Sequence, residues 1–188
     1  MKILYIDTTT PDLVVAVVED DKITDVTQRA VGVHHSEMLC LKVEEALAKA
    51  NVTFGELSAY ACAIGPGSFT GIRIGVSTVK GYCTAVEFPQ IAVNCLEAIA
   101  CSDHCKLLGS AVIDAGNGYY YANYLDGTAP CLISYEDERA LHAGRAESAV
   151  DYFDGAIKIV RNRFKSGMFD EALTPLYIRR SQAEENRK

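Results

Sequence analysis

Two acidic residues lie where this sequence could hold a metal ion or a phosphate. Asp7 ends an apolar run over residues 2–7, and Asp114 ends a second one over residues 107–114. Carboxylates at strand ends hold divalent cations in enzymes that transfer or hydrolyse phosphate groups. Thr8, next to Asp7, adds a hydroxyl that could contact the same group. Asp7, Thr8 and Asp114 are therefore candidates for a phosphate-facing or metal-facing site, although acidic residues also end strands for structural reasons.

A glycine-rich loop, Gly-Pro-Gly-Ser-Phe-Thr-Gly at 65–71, lies between a predicted strand and a predicted helix. Backbone N–H groups and the helix dipole favour an anion at such a position. The loop lacks the Lys-Ser/Thr pair of a P-loop, and its glycine spacing differs from that of the dinucleotide fingerprint. The pattern around Ser68 is also not that of a nucleophile elbow. A rigid strand-to-helix turn, with Phe69 as a buried anchor, is the alternative interpretation.

Cys101, His104 and Cys105 place three soft metal ligands within five residues. Structural zinc sites carry a second ligand pair, and the sequence offers none. We therefore predict no metal here, and a helix end followed by a turn. His34 and His35 also have no partner at ligand spacing, so we predict a role at the helix entry or at an interface.

The composition is that of a globular protein, with 49% hydrophobic and 23% charged residues among 188. No apolar run approaches the roughly 20 residues of a membrane helix, and an acidic residue follows the N-terminus too soon for a signal peptide. The seven cysteines are scattered and odd in number, which suits a reducing compartment. We therefore predict a cytoplasmic protein without a membrane partner. The net charge of −7 argues against autonomous binding of nucleic acid.

The first half of the chain predicts an antiparallel meander over 2–7, 13–19 and 22–29, and then a helix with Ser36 as its N-cap. Its buried stripe is Leu39, Val43, Ala46, Leu47 and Ala50. Met38 and Leu41 lie outside that stripe, which suggests either a partner or a wide core face. A strand over 60–64 precedes a second helix over 70–86, whose apolar side is Ile72, Val76, Val79, Cys83 and Val86. Because helical glycines are costly, Gly75 and Gly81 predict close approach by another element.

The second half repeats this pattern in a shorter form. After a strand over 91–93 and a short helix over 94–100, strands are predicted at 107–114, 119–125 and 131–135. One or two helices follow within 145–168, and then an extended segment over 174–180. Strand alternation places Tyr119 and Tyr121 on one side and Tyr120 on the other, which favours packing over a base-stacking platform. The repeat predicts a duplicated α/β unit.

The loop at 65–71 and the Ile72-Arg73-Ile74-Gly75 that follows it resemble the TsaB (YeaZ) family, whose hallmark is GPGSFTG before a variant of [IVL]R[IV]G. Further matches are Ile6-Asp7-Thr8-Thr9, His35-Ser36-Glu37, Ile113-Asp114-Ala115 and the segment 176–184. The resemblance covers nearly the whole chain. It implies an α/β, actin-like ATPase (Hsp70/sugar kinase-like) fold with two RNase-H-like lobes and a mixed sheet flanked by helices. The lobes are predicted at 1–103 and, shortened, at 104–188.

The resemblance also implies a function, that of a non-catalytic scaffold subunit in making threonylcarbamoyladenosine (t6A) on tRNA. The expected partners are the paralogue TsaD, as a heterodimer, and through that complex the ATPase TsaE. The isolated chain is expected to form a homodimer, tRNA is contacted only indirectly, and ATP or ADP binds only at a complex interface, with no cofactor of the chain's own. The resemblance assigns the partner interface to the two long helices, here Met38, Leu41, Glu45, Gly75, Thr78, Gly81, Tyr82 and Ala85. The signature loop comprises Gly65, Pro66, Gly67, Ser68, Phe69, Thr70, Gly71 and Arg73.

Two features depart from the family pattern. Gly116-Asn117 stands where the family commonly has an arginine, and the chain is shorter than usual after Tyr135. Two other functions remain as alternatives. One is an independent actin-like kinase or ATPase that uses Asp7 and Asp114. The other is an RNase-H-like nuclease that uses Asp7 and Glu19, which the acidic first lobe disfavours.

Overall fold

A five-stranded mixed sheet organises the first half of the molecule. The computed structural model describes residues 1–30, 34–85, 88–104, 110–124 and 128–179. The strands are β1 (Lys2–Asp7), β2 (Leu13–Glu19), β3 (Ile23–Gln28), β4 (Ala59–Gly65) and β5 (Gln90–Asn94), in the order β3-β2-β1-β4-β5. β1 pairs antiparallel with β2 and parallel with β4. The predicted meander is confirmed, and its two inner strands are almost wholly buried because both faces of the sheet are covered.

Two long helices, α1 (His35–Ala50) and α2 (Phe69–Ala85), cover one face of this sheet. The predicted stripe of α1 is buried in full, and so are the four predicted residues of α2 that lie in the described part of the chain. The prediction of Ser36 as the N-cap of α1 is wrong. His34 holds that position without a capping side-chain bond, because the helix begins at His35, whose ring is buried beside the Asp12 carbonyl.

A second sheet contains β6 (Ala111–Gly116), β7 (Tyr119–Asn123), β8 (Cys131–Ser134) and β9 (Gly144–Ala146), in the order β8-β7-β6-β9. β9 is not predicted from the sequence, because three residues are too few to show a periodicity. Val86, the residues 107–109, Leu125 and the tail from 180 lie outside the described residues. The strands predicted at 107–114, 119–125 and 131–135 correspond to β6, β7 and β8, each of which is shorter than predicted.

Helices α3 (Cys95–Cys101) and α4 (Phe153–Lys165) pack between the two sheets. A Cβ atom at Gly155 of α4 would overlap the Ala98 carbonyl oxygen of α3, so this glycine allows the two helices to approach closely. The core between the sheets takes Ile3 and Val93 from the first sheet and Ile113 from the second. The two halves are therefore joined by a shared core.

The predicted fold class is confirmed, since mixed sheets flanked by helices occur twice and the second sheet is smaller. The boundary between residues 103 and 104 stays a prediction. α4 follows that boundary in sequence but packs against the first sheet. In the described ranges, no helix is both long and apolar enough to cross a membrane.

Candidate functional site

The signature loop is tied to the turn that follows β1. The Ser68 N–H donates to the Thr9 carbonyl at 2.7 Å, and the Thr8 hydroxyl donates to the Gly71 carbonyl at 2.7 Å. A Cβ at Gly67 would lie 2.5 Å from the Thr9 oxygen, and one at Gly71 would overlap the Thr8 oxygen. These loop glycines are therefore required by backbone packing alone, which agrees with the interpretation as a rigid turn.

The two glycines inside α2 have different surroundings. A Cβ at Gly75 would lie 2.5 Å from the Thr8 hydroxyl and 3.3 Å from the Cys62 sulfur, so the predicted close approach is confirmed there within the chain. Because Gly75 faces the buried side, its assignment to the partner interface is wrong. Gly81 is exposed and has nothing within 4 Å of a Cβ position in the described structure. No described residue approaches Gly81 closely, so the close approach predicted there stays a prediction.

Asp7 is fully buried at the end of β1, and protein groups bond both of its carboxylate oxygens. The Thr9 N–H and hydroxyl donate to Oδ1 at 2.8 and 2.7 Å, and the Tyr5 and Tyr152 hydroxyls donate to Oδ2 at 3.1 and 3.0 Å. Burial raises the pKa of Asp7, although these hydrogen bonds oppose the shift. The expectation that Asp7 and Thr8 face a phosphate or metal does not fit this geometry. Both side chains face inward, and the hydroxyl of Thr8 bonds the loop.

Asp114 is an exposed residue within β6 and lies apart from this buried network. It accepts hydrogen bonds from the Tyr135 hydroxyl at 2.6 Å and from the Gly116 N–H at 2.7 Å. It lines a cavity of 390 Å³ between the two sheets, to which Asp7 does not contribute. The two carboxylates therefore do not share a site. Asp7 ends β1 as predicted, whereas the prediction for Asp114 is wrong, because β6 continues to Gly116.

A second cavity, of 490 Å³, adjoins the first, and both are lined by Gly67, Ala115 and Tyr121. The signature loop thus forms one wall of a cleft whose other wall is the β6–β7 turn. At the start of α2 the Ser68 hydroxyl accepts the Gly71 N–H at 3.2 Å, so the loop caps its own helix. The N-terminal groups of α2 are partly satisfied without an anion.

Phe69 is half-buried against Tyr177, with ring centroids 4.6 Å apart. The Arg73 guanidinium carbon lies 4.1 Å from the centroid of the Phe69 ring, and its Nε donates to the Tyr177 hydroxyl at 3.1 Å. Tyr177 reaches this position because the Leu176 N–H donates to the Ile64 carbonyl at 2.8 Å. Sequence reasoning did not assign Tyr177 to any site. The separation of 104 residues from Arg73 hid this contact, and the match of segment 176–184 to the family was its only signal.

Four of the remaining residues assigned to the partner interface, namely Met38, Leu41, Glu45 and Thr78, are exposed or half-buried on α1 and α2. Leu41 is 59% exposed, and Met38 and Thr78 are half-buried. Glu45 pairs with Lys42 and Lys49 at 2.8 and 2.9 Å, and hydrogen bonds from these lysines lower its pKa to about 2.

Tyr82 is partly engaged inside the chain. It packs on Tyr60 and Phe54, with centroids 5.8 and 5.3 Å away, and partial burial raises its pKa to about 12. Ala85 ends α2. An open groove of 600 Å³ runs between the two helices, lined by Ser36, Leu39, Cys40, Phe69, Thr70, Arg73, Ile74, Ser77 and Thr78.

Of the cluster Cys101, His104 and Cys105, Cys105 lies outside the described residues, so the absence of a metal there stays a prediction. Among the residues that are described, no three His, Cys, Asp or Glu side chains gather as metal ligands.

His34 bonds Glu37 at 3.1 Å and His35 is buried at the start of α1, as expected for helix-entry residues. Tyr120 packs against the cluster of Val112 and Ile133 on one face of the second sheet, and Tyr121 packs against the core between the two sheets on the other face. The predicted alternation of these two tyrosines is therefore confirmed.

Known proteins resemble the chain in both sequence and fold. The family model of TsaD, tRNA N6-adenosine threonylcarbamoyltransferase, matches residues 24–131. The tRNA threonylcarbamoyladenosine biosynthesis protein TsaB of Bacillus subtilis is 33% identical over 122 residues, 64% of this chain and 53% of that protein. Its Escherichia coli counterpart is 33% identical over 128 residues, 66% of this chain and 55% of that protein. The chain thus spans little more than half the length of these curated relatives.

A solved structure of YeaZ from Pseudomonas aeruginosa superimposes on this chain with a TM-score of 0.75 at 21% sequence identity. The superposition covers 94% of this chain and 100% of that one. This likeness extends the agreement in fold to both sheets. The family model spans more than half of the chain and includes the signature loop, α1, α2, β6 and β7. The chain therefore belongs to the TsaB (YeaZ) family, within the wider TsaD family.

Proposed function

We propose that this chain is a non-catalytic scaffold subunit required for t6A modification of tRNA. It binds TsaD through α1 and α2 and reaches TsaE through that complex. The observation that carries the proposal is the outer face of these helices, where Leu41 is 59% exposed and Gly81 leaves open space for a Cβ. An exposed apolar side chain beside a side-chain-free position lets a partner helix approach closely.

The buried state of Asp7 supports a role without catalysis. Its carboxylate accepts four hydrogen bonds from the protein and has no access to a nucleotide. The alternative, an independent kinase or ATPase, requires Asp7 to turn to a metal ion. That alternative predicts ATP turnover by the isolated chain that disappears in Asp7→Ala. We expect no turnover above a no-enzyme blank in either protein.

The proposal is tested by measuring the affinity of the purified chain for TsaD by calorimetry. We expect Gly81→Arg and Leu41→Glu to weaken binding at least about tenfold, because each places a bulky or charged group in a desolvated contact. Leu132→Glu is the matched control, since Leu132 is 37% exposed on β8, in the second sheet. Circular dichroism checks that each variant is folded. Unchanged affinity in both helix variants would show that the partner binds elsewhere.

The isolated chain is proposed to use the same surface to form a homodimer. Light scattering after size exclusion is expected to give a dimer for the unmodified chain and a monomer for Leu41→Glu. No cofactor is proposed for the chain alone, and ATP or ADP would bind only at an interface with a partner. Contact with tRNA is proposed to be indirect, because the chain carries a net charge of −7. The proposed compartment is the cytoplasm.

A further inference from the structure

Arg73 lies on the ridge between the cleft and the groove of α1 and α2, since it lines a cavity on each side. Its guanidinium is held in place from two directions. The Phe69 ring lies 4.1 Å below the guanidinium carbon, and Tyr177 accepts the Nε hydrogen at 3.1 Å. A cation fixed in this way loses little side-chain entropy when it binds an anion.

Arg73 has two aromatic neighbours and, within the described ranges, no acceptor for its terminal nitrogens. By contrast, Arg29, Arg139 and Arg163 each lie within 4 Å of a carboxylate. Arg145 lies over Tyr120, but its terminal nitrogen donates to the Ala140 carbonyl, and Arg161 donates to the Glu19 carbonyl. Within the described ranges, Arg73 has only Phe69 and Tyr177 as partners. This is notable in a chain with 25 acidic and 18 basic residues, where carboxylates are in surplus. The terminal nitrogens of Arg73 thus keep donors for an acceptor outside the described chain.

The lining of the groove indicates what kind of anion fits. Its other described side chains are neutral, among them Ser36, Leu39, Ile74, Ser77 and Thr78. A nucleic-acid backbone presents a row of phosphates and requires a row of cations. A protein helix that presents one carboxylate among small and apolar side chains requires a single arginine, which can bind it through two parallel N–H donors.

We propose that Arg73 is the anion anchor of the α1/α2 surface and binds one Asp or Glu side chain of the protein partner that docks there. The inference rests on the proposed function, because it takes TsaD as that partner. Phe69 and Tyr177 act as positioning residues that orient the guanidinium. The anchor fixes the register of the partner along the groove, while Leu41 and Gly81 supply the close packing.

The test measures the affinity for TsaD at several salt concentrations. Arg73→Ala is expected to weaken binding at least about tenfold and Arg73→Glu further, because a desolvated carboxylate of the partner loses its counter-charge. Arg73→Lys is expected to restore part of the affinity, and the salt dependence is expected to flatten in Arg73→Ala. Lys22→Glu, in the exposed β2–β3 turn, is the control for net charge. Tyr177→Phe leaves the charge in place and is expected to weaken binding by a smaller factor.

Three results are distinguishable. If the unmodified chain does not bind TsaD, or if Gly81→Arg and Leu41→Glu bind normally, the proposed function or its surface fails. If those variants lose binding while folded Arg73→Ala and Arg73→Glu keep the affinity of the unmodified chain, the anchor alone is wrong. If Arg73→Ala instead abolishes retention of tRNA in a filter assay and leaves TsaD binding unchanged, the anchor takes a phosphate and the proposal is overturned.

Discussion

At the scale of single residues, Asp7 shows how burial changes the meaning of a sequence pattern. A carboxylate that ends a strand predicts a metal or phosphate site when it faces a cleft. Here, hydroxyls from Tyr5, Thr9 and Tyr152 surround it, together with one backbone N–H. The sequence places Asp7 at the strand end correctly. It cannot reveal that Tyr152, 145 residues away, bonds the same carboxylate.

The pKa of Asp7 leads to a prediction for stability against pH. Burial raises this pKa above the ordinary 3.8, so the folded state favours the protonated form. The contribution of this shift to the free energy of unfolding is fully present below the pKa that Asp7 has in the unfolded chain. It is lost as the pH rises through the pKa that Asp7 has in the folded chain. In Asp7→Asn, the amide keeps an acceptor for Thr9 and removes the charge. We expect the unfolding free energy of the unmodified chain minus that of Asp7→Asn to fall as the pH rises from about 4.

The measurement is urea unfolding at a series of pH values. Asp21→Asn, in the exposed β2–β3 turn, makes the same change in charge without the burial. For that control we expect a difference from the unmodified chain that is nearly independent of pH. A difference for Asp7→Asn that grows with pH would mean that the folded state prefers the ionised carboxylate.

At the scale of elements, the glycines of the loop and of α2 differ in whether their surroundings leave space for a side chain. A Cβ at Gly71 overlaps the Thr8 carbonyl oxygen, whereas a Cβ at Gly81 meets nothing within 4 Å. We expect Gly71→Ala to lower the unfolding free energy by about 3 kcal/mol or more, because backbone must move to admit the methyl group. Gly81→Ala is expected to raise it by about 0.5 to 1 kcal/mol, since alanine is the better helix former.

Thermal and urea unfolding of this matched pair within one helix provide the check. Equal effects of the two substitutions would mean that the turn after β1 can move away from α2. Gly81→Ala also tests the surface, because a methyl group at a close helix contact is expected to weaken TsaD binding while it stabilises the chain. A gain in both stability and affinity would place the partner away from Gly81.

Local periodicity predicts the helices of this fold and the parts of the surface that they present. The stripe from Leu39 to Ala50 and the exposure of Leu41 follow from helical spacing alone. The inward position of Gly75 does not, because it depends on the Thr8 turn, which only the folded sheet brings to α2. β9 and the docking of Tyr177 on Phe69 likewise depend on pairing between distant segments.

At the scale of the whole molecule, the two halves of the chain are joined by polar contacts as well as by the core that the two sheets share. The Tyr152 hydroxyl bonds Asp7 at 3.0 Å and lies 3.0 Å from the Thr9 hydroxyl, and the Ala149 N–H donates to the Thr10 hydroxyl at 3.1 Å. Each pair joins the segment that leads into α4 to the turn after β1. The α1/α2 surface therefore belongs to a body held together at that turn, which supports the proposed role as a scaffold.

We therefore expect one cooperative unfolding transition for both halves. Tyr152→Phe is expected to lower the unfolding free energy by about 1 to 2 kcal/mol, because it removes one donor from a buried carboxylate. Since the chain has no tryptophan and 10 tyrosines, near-ultraviolet circular dichroism reports the transition. Hydrogen exchange resolves the halves, and we expect peptides of β1 and β6 to lose protection together. Tyr119→Phe, at a residue 41% exposed, is the control and is expected to change neither measurement. Faster exchange of β6 alone in Tyr152→Phe would show that the halves unfold separately and that Tyr152 does not couple them.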